Sequence, residues 1–269
     1  MLKFKKDTIF KKTEKEEIYE DTATGGVLAI WGSPSSGKTT LATKIAHHLA
    51  SKKQNVILLL CDTTAPMIPC IVPPSDLEVE KSLGSILAVP TVNESIVKYN
   101  MITHKRSPYL TMVGMLKGEN EYTYAPYTQV QAEQLIDCLR GIAPFVIIDC
   151  GSYIANDILS AVALKEADDV LRLVNCDLKS ISYLSSQLPL IQNSGFDLEK
   201  QYKTASNVKP NHGVDKMAGT LGTMAFKVPH SAELEEQFLQ GNLLQELQMK
   251  NSRAFKSEVA KIVKEVFSI

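Results

Sequence analysis

From Val27 to the end of the chain, short uninterrupted apolar runs alternate with stretches whose apolar residues recur at helical spacing. Runs rich in Val, Ile, Leu and Phe suit strands buried on both faces, and the periodic stretches between them suit helices that cover those faces. The pattern predicts strands over 27–31, 56–61, 109–113, 145–149, 170–175, 203–207 and 224–228. It predicts helices over 39–52, 130–140, 154–165, 180–193, 232–240 and 252–267. Such alternation implies an α/β domain, a mostly parallel twisted sheet of about seven strands with helices on both faces. Between 63 and 108 the rhythm fails, with prolines at 66, 69, 73, 74, 90 and 108, and short helices with a mobile loop are expected there.

Residues 1–24 break the pattern differently. Lysines at 3, 5, 6, 11, 12 and 15 interleave with glutamates at 14, 16, 17 and 20, so the segment reads as a charged leader before one domain over 25–269. Its nearly cancelling charge suits a solvated or partner-docked segment. Over 269 residues, 29 basic and 30 acidic side chains leave a formal net charge of -1, so no global field draws the molecule to nucleic acid or to an acidic membrane. The five cysteines form no CxxC pair, and no apolar run approaches the roughly 18 residues of a membrane span. With no signal-peptide core at the N-terminus, a cytoplasmic, reducing location is expected.

The chemistry is concentrated just after the first strand. Gly32, Ser33, Pro34, Ser35, Ser36, Gly37, Lys38 and Thr39 match G-x-x-x-x-G-K-[ST] at every fixed position, between an apolar strand and an amphipathic helix. In such a loop, successive backbone N–H groups and the helix N-terminus face phosphate oxygens, and the glycines allow close approach. Lys38 is then the cation for the outer phosphates, and the Thr39 hydroxyl the expected ligand of a Mg²⁺ bridging them. A chance glycine- and serine-rich turn is the bland alternative, and strand, loop and helix standing in order argue against it.

A second carboxylate should position the Mg²⁺ shell from a neighbouring strand. The run 145–149 ends in Asp149, which places an acid at the carboxyl edge of the sheet, where open α/β folds bind ligands. Asp62 closes the strand over 56–61 and also reaches that edge. It either positions attacking water or caps the following turn, and the register leaves both readings open.

The order of these blocks resembles the ParA and MinD superfamily of nucleotide-switch ATPases. Residues 31–40 are similar to its phosphate loop, 56–62 to its first switch and 146–152 to its second; 167–175, 205–211, 226–230 and 240–242 resemble later family segments. The resemblance implies an ATP and Mg²⁺ site that includes Thr40, an adenine contact at Asn207 and a nucleotide contact at Pro229. It also implies an ATP-favoured homodimer that recruits a protein partner. One departure stands out: aligned on Gly37, Lys38 and Thr39, the family's signature lysine falls at Ser33, and two family glycines fall at Pro34 and Ser35. Divergent loops of this kind resemble the CpaE and TadZ-like members that place pilus-assembly machinery, with DNA partition as the other family role.

A P-loop does not choose its base. The strand over 203–207 ends in Asn207, Val208, Lys209 and Pro210 with no aspartate for guanine, so adenine is favoured, while Asn207 as a simple turn cap remains open. In the last helix, Phe255, Val259, Ile262, Val263 and Val266 share one side. That side either packs on the sheet, the favoured reading, or lies on the inner face of a membrane, directly or through a partner. His47 and His48 are adjacent on a helix and point apart, so no metal spacing is seen.

The leading expectation is an ATP-dependent spatial organiser with weak ATPase activity, in which Lys38, Asp62 and Asp149 carry the hydrolysis. The alternatives are a metabolic P-loop enzyme such as a small-molecule kinase or amidoligase, and a nucleotide-binding scaffold with little turnover. A related tyrosine kinase would need a terminal tyrosine cluster, and the last tyrosine is Tyr202.

Overall fold

The computed structural model describes residues 25–77, 81–193 and 195–269, except for the side chains of 193 and 215–218; the leader expected over 1–24 lies outside them. One sheet organises the described residues. Its strands are β1 (Gly26–Gly32), β2 (Val56–Leu60), β3 (Ile102–His104), β4 (Ser107–Val113), β5 (Phe145–Asp149), β6 (Asp169–Asn175), β7 (Gln201–Val208) and β8 (Phe226–Pro229). They stand in the order β3-β4-β2-β5-β1-β6-β7-β8. Every neighbouring pair is parallel except β3 and β4.

The sheet therefore has eight strands where about seven were predicted. The extra one, β3, is a three-residue edge strand whose middle and last residues are Thr103 and His104, so it leaves no apolar run to read. The irregular stretch over 63–108 does hold short helices, α2 (Ile68–Ile71), α3 (Leu83–Leu87) and α4 (Glu94–Asn100). The longer connections are α1 (Lys38–Ser51), α5 (Gln129–Ile142), α6 (Ile158–Glu166), α7 (Leu178–Asn193), α8 (Val214–Leu221), α9 (Ala232–Leu239) and α10 (Arg253–Phe267). Helix α6 starts later than predicted. Asp157 caps it by accepting from Ser160 N, and Ile154–Asn156 forms a separate 3-10 turn.

Alternation along β1 shows how the strand serves two cores. Val27, Ala29 and Trp31 join the layer that includes α3 to α6, while Leu28 and Ile30 join the layer of α1, α9 and α10. A strand apolar at every position can do this only when both faces are covered. In α10, Phe255, Val259, Ile262 and Val263 are buried in that second layer beside α1, and Val266 is partly buried there. The expectation that this helix packs on its own sheet is met. No helix among the described residues is long and apolar enough to cross a membrane.

Candidate functional site

The carboxyl edge of the sheet gathers the ends of β1, β2, β5 and β7. Gly32 closes β1 against β6 so tightly that a Cβ there would lie 2.0 Å from the Leu173 carbonyl oxygen, which explains the first fixed glycine. Ser33 N donates to that same oxygen at 3.2 Å and Ser36 N to Ser33 O at 3.2 Å, folding the loop on itself. Gly37 has a left-handed φ of 79° as the residue before α1, a conformation that glycine adopts without strain. From the end of β6, Asn175 Nδ2 donates to Ser35 O at 3.1 Å and braces the loop from outside.

Residues 34–40 line an open cavity of about 1180 Å³ together with Asp62, Asp149, Ser152, Asn207 and Pro229. Nearly all the candidate residues thus converge on one space. Gly32 and Ser33 do not line it: they sit behind the wall, where Gly32 touches the β6 backbone and the Ser33 side chain is buried.

The polar centre is compact. Thr39 Oγ1 donates to Asp149 Oδ2 at 2.5 Å, and Lys38 Nζ donates to Ser152 Oγ at 2.6 Å and to Ser33 O at 3.4 Å. Burial pushes the Asp149 carboxyl up to about 6; the Thr39 bond and the Lys38 charge pull the other way, and the Asp62 charge adds to the rise. Burial also holds the Lys38 ammonium below its ordinary value despite the pull of Asp149 and Asp62. The second Asp149 oxygen, Oδ1, is buried with no partner among the described residues, as is the hydroxyl of Ser36, which also lines the cavity. A buried polar atom without a partner costs free energy, so such groups at one site imply a ligand that would satisfy them.

These donors suit the group the motif implies. A carboxylate beside a hydroxyl is the oxygen set that a hard divalent ion takes, and Thr39 with Asp149 would hold Mg²⁺. Bound there, the ion would supply positive charge to the terminal phosphates of a nucleotide. Lys38 and the backbone N–H groups entering α1 would face those phosphates.

Asp62 caps the turn that follows β2 and stands at the cavity wall; its Oδ1 accepts from Thr64 N at 2.9 Å and Ala65 N at 2.8 Å. Asn207 is likewise doubly used. It has φ 53°, its Oδ1 is 2.7 Å from His230 Nδ1, and it lines the cavity beside Pro229. Sequence reading missed His230, Asn175 and the contact between Lys38 and Ser152. Asn175 carried the signal that revealed Asp149, a polar residue closing an apolar strand at the carboxyl edge; the other two depend on side-chain geometry that no spacing encodes.

No family model and no curated protein matches the sequence. Solved structures do match the fold. A ParA family ATPase from Chlorobium tepidum is similar with a TM-score of 0.73 at 14% identity, over 88% of this chain and 98% of that one. The MinC:MinD cell division complex of Aquifex aeolicus gives 0.69 at 14%, over 88% and 95%. An ATP complex of McdA from Cyanothece gives 0.62 at 16%, over 92% and 98%. At these identities the likeness establishes the fold, the P-loop architecture of ParA and MinD ATPases.

Proposed function

We propose that the chain is an ATP- and Mg²⁺-binding nucleotide switch that organises a partner assembly through an ATP-favoured homodimer. The observation that carries this reading is the convergence of Lys38, Thr39, Asp149 and Asp62 on one cavity at the sheet's carboxyl edge, with an unpartnered Asp149 oxygen beside the Thr39 hydroxyl. Lys38 and the P-loop backbone would hold the phosphates, Thr39 and Asp149 Mg²⁺, and Asp62 would orient water, with Asn207 contacting the adenine and Pro229 the nucleotide. Similarity to an ATP complex of McdA and to MinD captured with MinC supports nucleotide binding and a protein partner.

Ser33 in place of a lysine implies slow intrinsic turnover, since phosphoryl transfer depends on charge supplied to the transition state. Within this reading the assembly is pilus or secretion machinery, with DNA partition second and recruitment to the inner membrane face left to the partner. The deciding experiment is light scattering with Mg²⁺ and either ATP or ADP. A mass that doubles with ATP more than with ADP supports the switch, and a monomer under both removes the dimer mechanism.

A second reading has one observation in its favour. The cavity extends past Asp62 to Met115, Tyr124 and Tyr127, enough room for a small acceptor molecule. Transfer of labelled phosphoryl from ATP to a small molecule in a metabolite extract, lost in Lys38→Ala, would select that reading over the organiser.

A further inference from the structure

The P-loop lysine is already occupied. Its ammonium donates to Ser152 Oγ at 2.6 Å, and Ser152 lies three residues beyond Asp149, in the segment that leaves β5. The same residue is held from the other side, because its carbonyl accepts a hydrogen bond from the Tyr183 hydroxyl of α7. Tyr183 in turn faces Trp31, with ring centroids 6.4 Å apart at 48°. Trp31 is the only tryptophan in the chain and immediately precedes Gly32. Lys38, Ser152, Tyr183 and Trp31 thus make a closed circuit from the P-loop, through the segment after Asp149, to α7 and back to the strand that feeds the P-loop.

We propose that Ser152 is a positioning residue that latches Lys38 in the nucleotide-free protein and links phosphate occupancy to helix α7. The inference rests on the P-loop being a phosphate site. Lys38 is half-buried at the cavity wall, and the Ser152 hydroxyl is its closest hydrogen-bond acceptor among the described residues, at 2.6 Å against 3.4 Å for Ser33 O. A phosphate is a stronger acceptor for an ammonium than a neutral hydroxyl. Lys38 therefore exchanges partners, and Ser152 loses one of the two contacts that fix it. The other contact, through its carbonyl, passes the change to Tyr183.

The chain reports on itself through Trp31. Emission from that residue, titrated with Mg²⁺-ADP, is compared with affinity measured independently by a fluorescent ATP analogue, in the wild type and in Ser152→Ala, Ser152→Thr, Tyr183→Phe and Lys38→Ala. Removing the latch should tighten binding about three- to tenfold in Ser152→Ala, the size of one hydrogen bond made in competition with water. Ser152→Thr, which restores the hydroxyl, should return to wild-type affinity. Tyr183→Phe should bind within about twofold of wild type yet lose at least about half of the emission change, because the relay is cut downstream of the phosphate. Equal or weaker binding by Ser152→Ala overturns the latch, and an intact emission response in Tyr183→Phe overturns the relay. Lys38→Ala separates the two layers of inference. If it binds as the wild type does, the phosphate-site reading fails and the latch with it; if it loses binding while Ser152→Ala is unchanged, the latch alone is wrong.

Discussion

Replacing Asp149 by Asn should stabilise the protein without nucleotide and abolish its Mg²⁺-dependent nucleotide binding. The carboxyl is 4% exposed, and its folded-state value lies at about 6 against an ordinary 3.8. A carboxyl raised on folding binds more protons in the folded than in the unfolded state, so its contribution favours folding at low pH and is lost as pH rises through about 6. Linkage with those two values gives a penalty of about 3 kcal/mol near pH 8 and about half of that near pH 5. Asparagine removes the charge and keeps an oxygen for the Thr39 hydroxyl, but its amide needs partners of its own. After the cost of the amide, a net gain of about 1–2 kcal/mol near pH 8, or roughly 2–8 °C in Tm for a domain of this size, is the expectation. The assay is thermal unfolding of both proteins at the two pH values without nucleotide, followed by titration with ATP analogue with and without Mg²⁺. A Tm difference that does not shrink from pH 8 to pH 5, or a mutant that still needs Mg²⁺ to bind, would refute the assignment of Asp149 as a strained acid awaiting a cation.

The same proton equilibrium predicts that Mg²⁺-dependent binding to the wild type weakens as pH falls below about 6, where protons compete for Asp149, and isothermal titration at stepped pH checks it. Lys38→Ala should weaken ATP binding at least about 100-fold, since it removes the ammonium nearest the loop, and fluorescent-analogue titration decides. A phosphate-release assay on the protein alone should find turnover below about 10⁻² s⁻¹; brisk turnover that Asp149→Ala abolishes would show that another cation in this chain serves in place of the missing lysine. Gly32→Ala should lower stability by about 1–3 kcal/mol in chemical denaturation, because its new methyl group meets the Leu173 carbonyl.

Much of this architecture was legible in the residues. A both-face-buried strand is apolar at consecutive positions, so β1, β2, β5 and β6 stand out, and P-loop chemistry is tied to a fixed spacing that survives any divergence around Gly37, Lys38 and Thr39. What stayed hidden has a physical reason in each case. Strand β3 is three residues long, has β4 as its one strand neighbour in the sheet and carries polar residues, so hydrophobic pattern gives it no weight. The cap that starts α6 is a single Asp157 whose role appears only when Ser160 N is seen to reach it. Asp62 shows the limit most clearly. Its position at a strand end was readable, but the division of its oxygens between a turn and a cavity is a matter of ångströms.

Both borders of the sheet are short, with three residues in β3 at one side and four in β8 at the other. Beside β3, Pro108 in β4 offers no N–H, and the outer strand β8 ends in Pro229. Lateral addition of another chain's strand would gain few ladder bonds at either border, so the sheet is poorly suited to growing sideways into a filament. Backbone pairing at these borders is therefore a poor route to association. On the reading proposed above, association falls instead to side-chain surfaces such as the carboxyl edge, where the cavity opens.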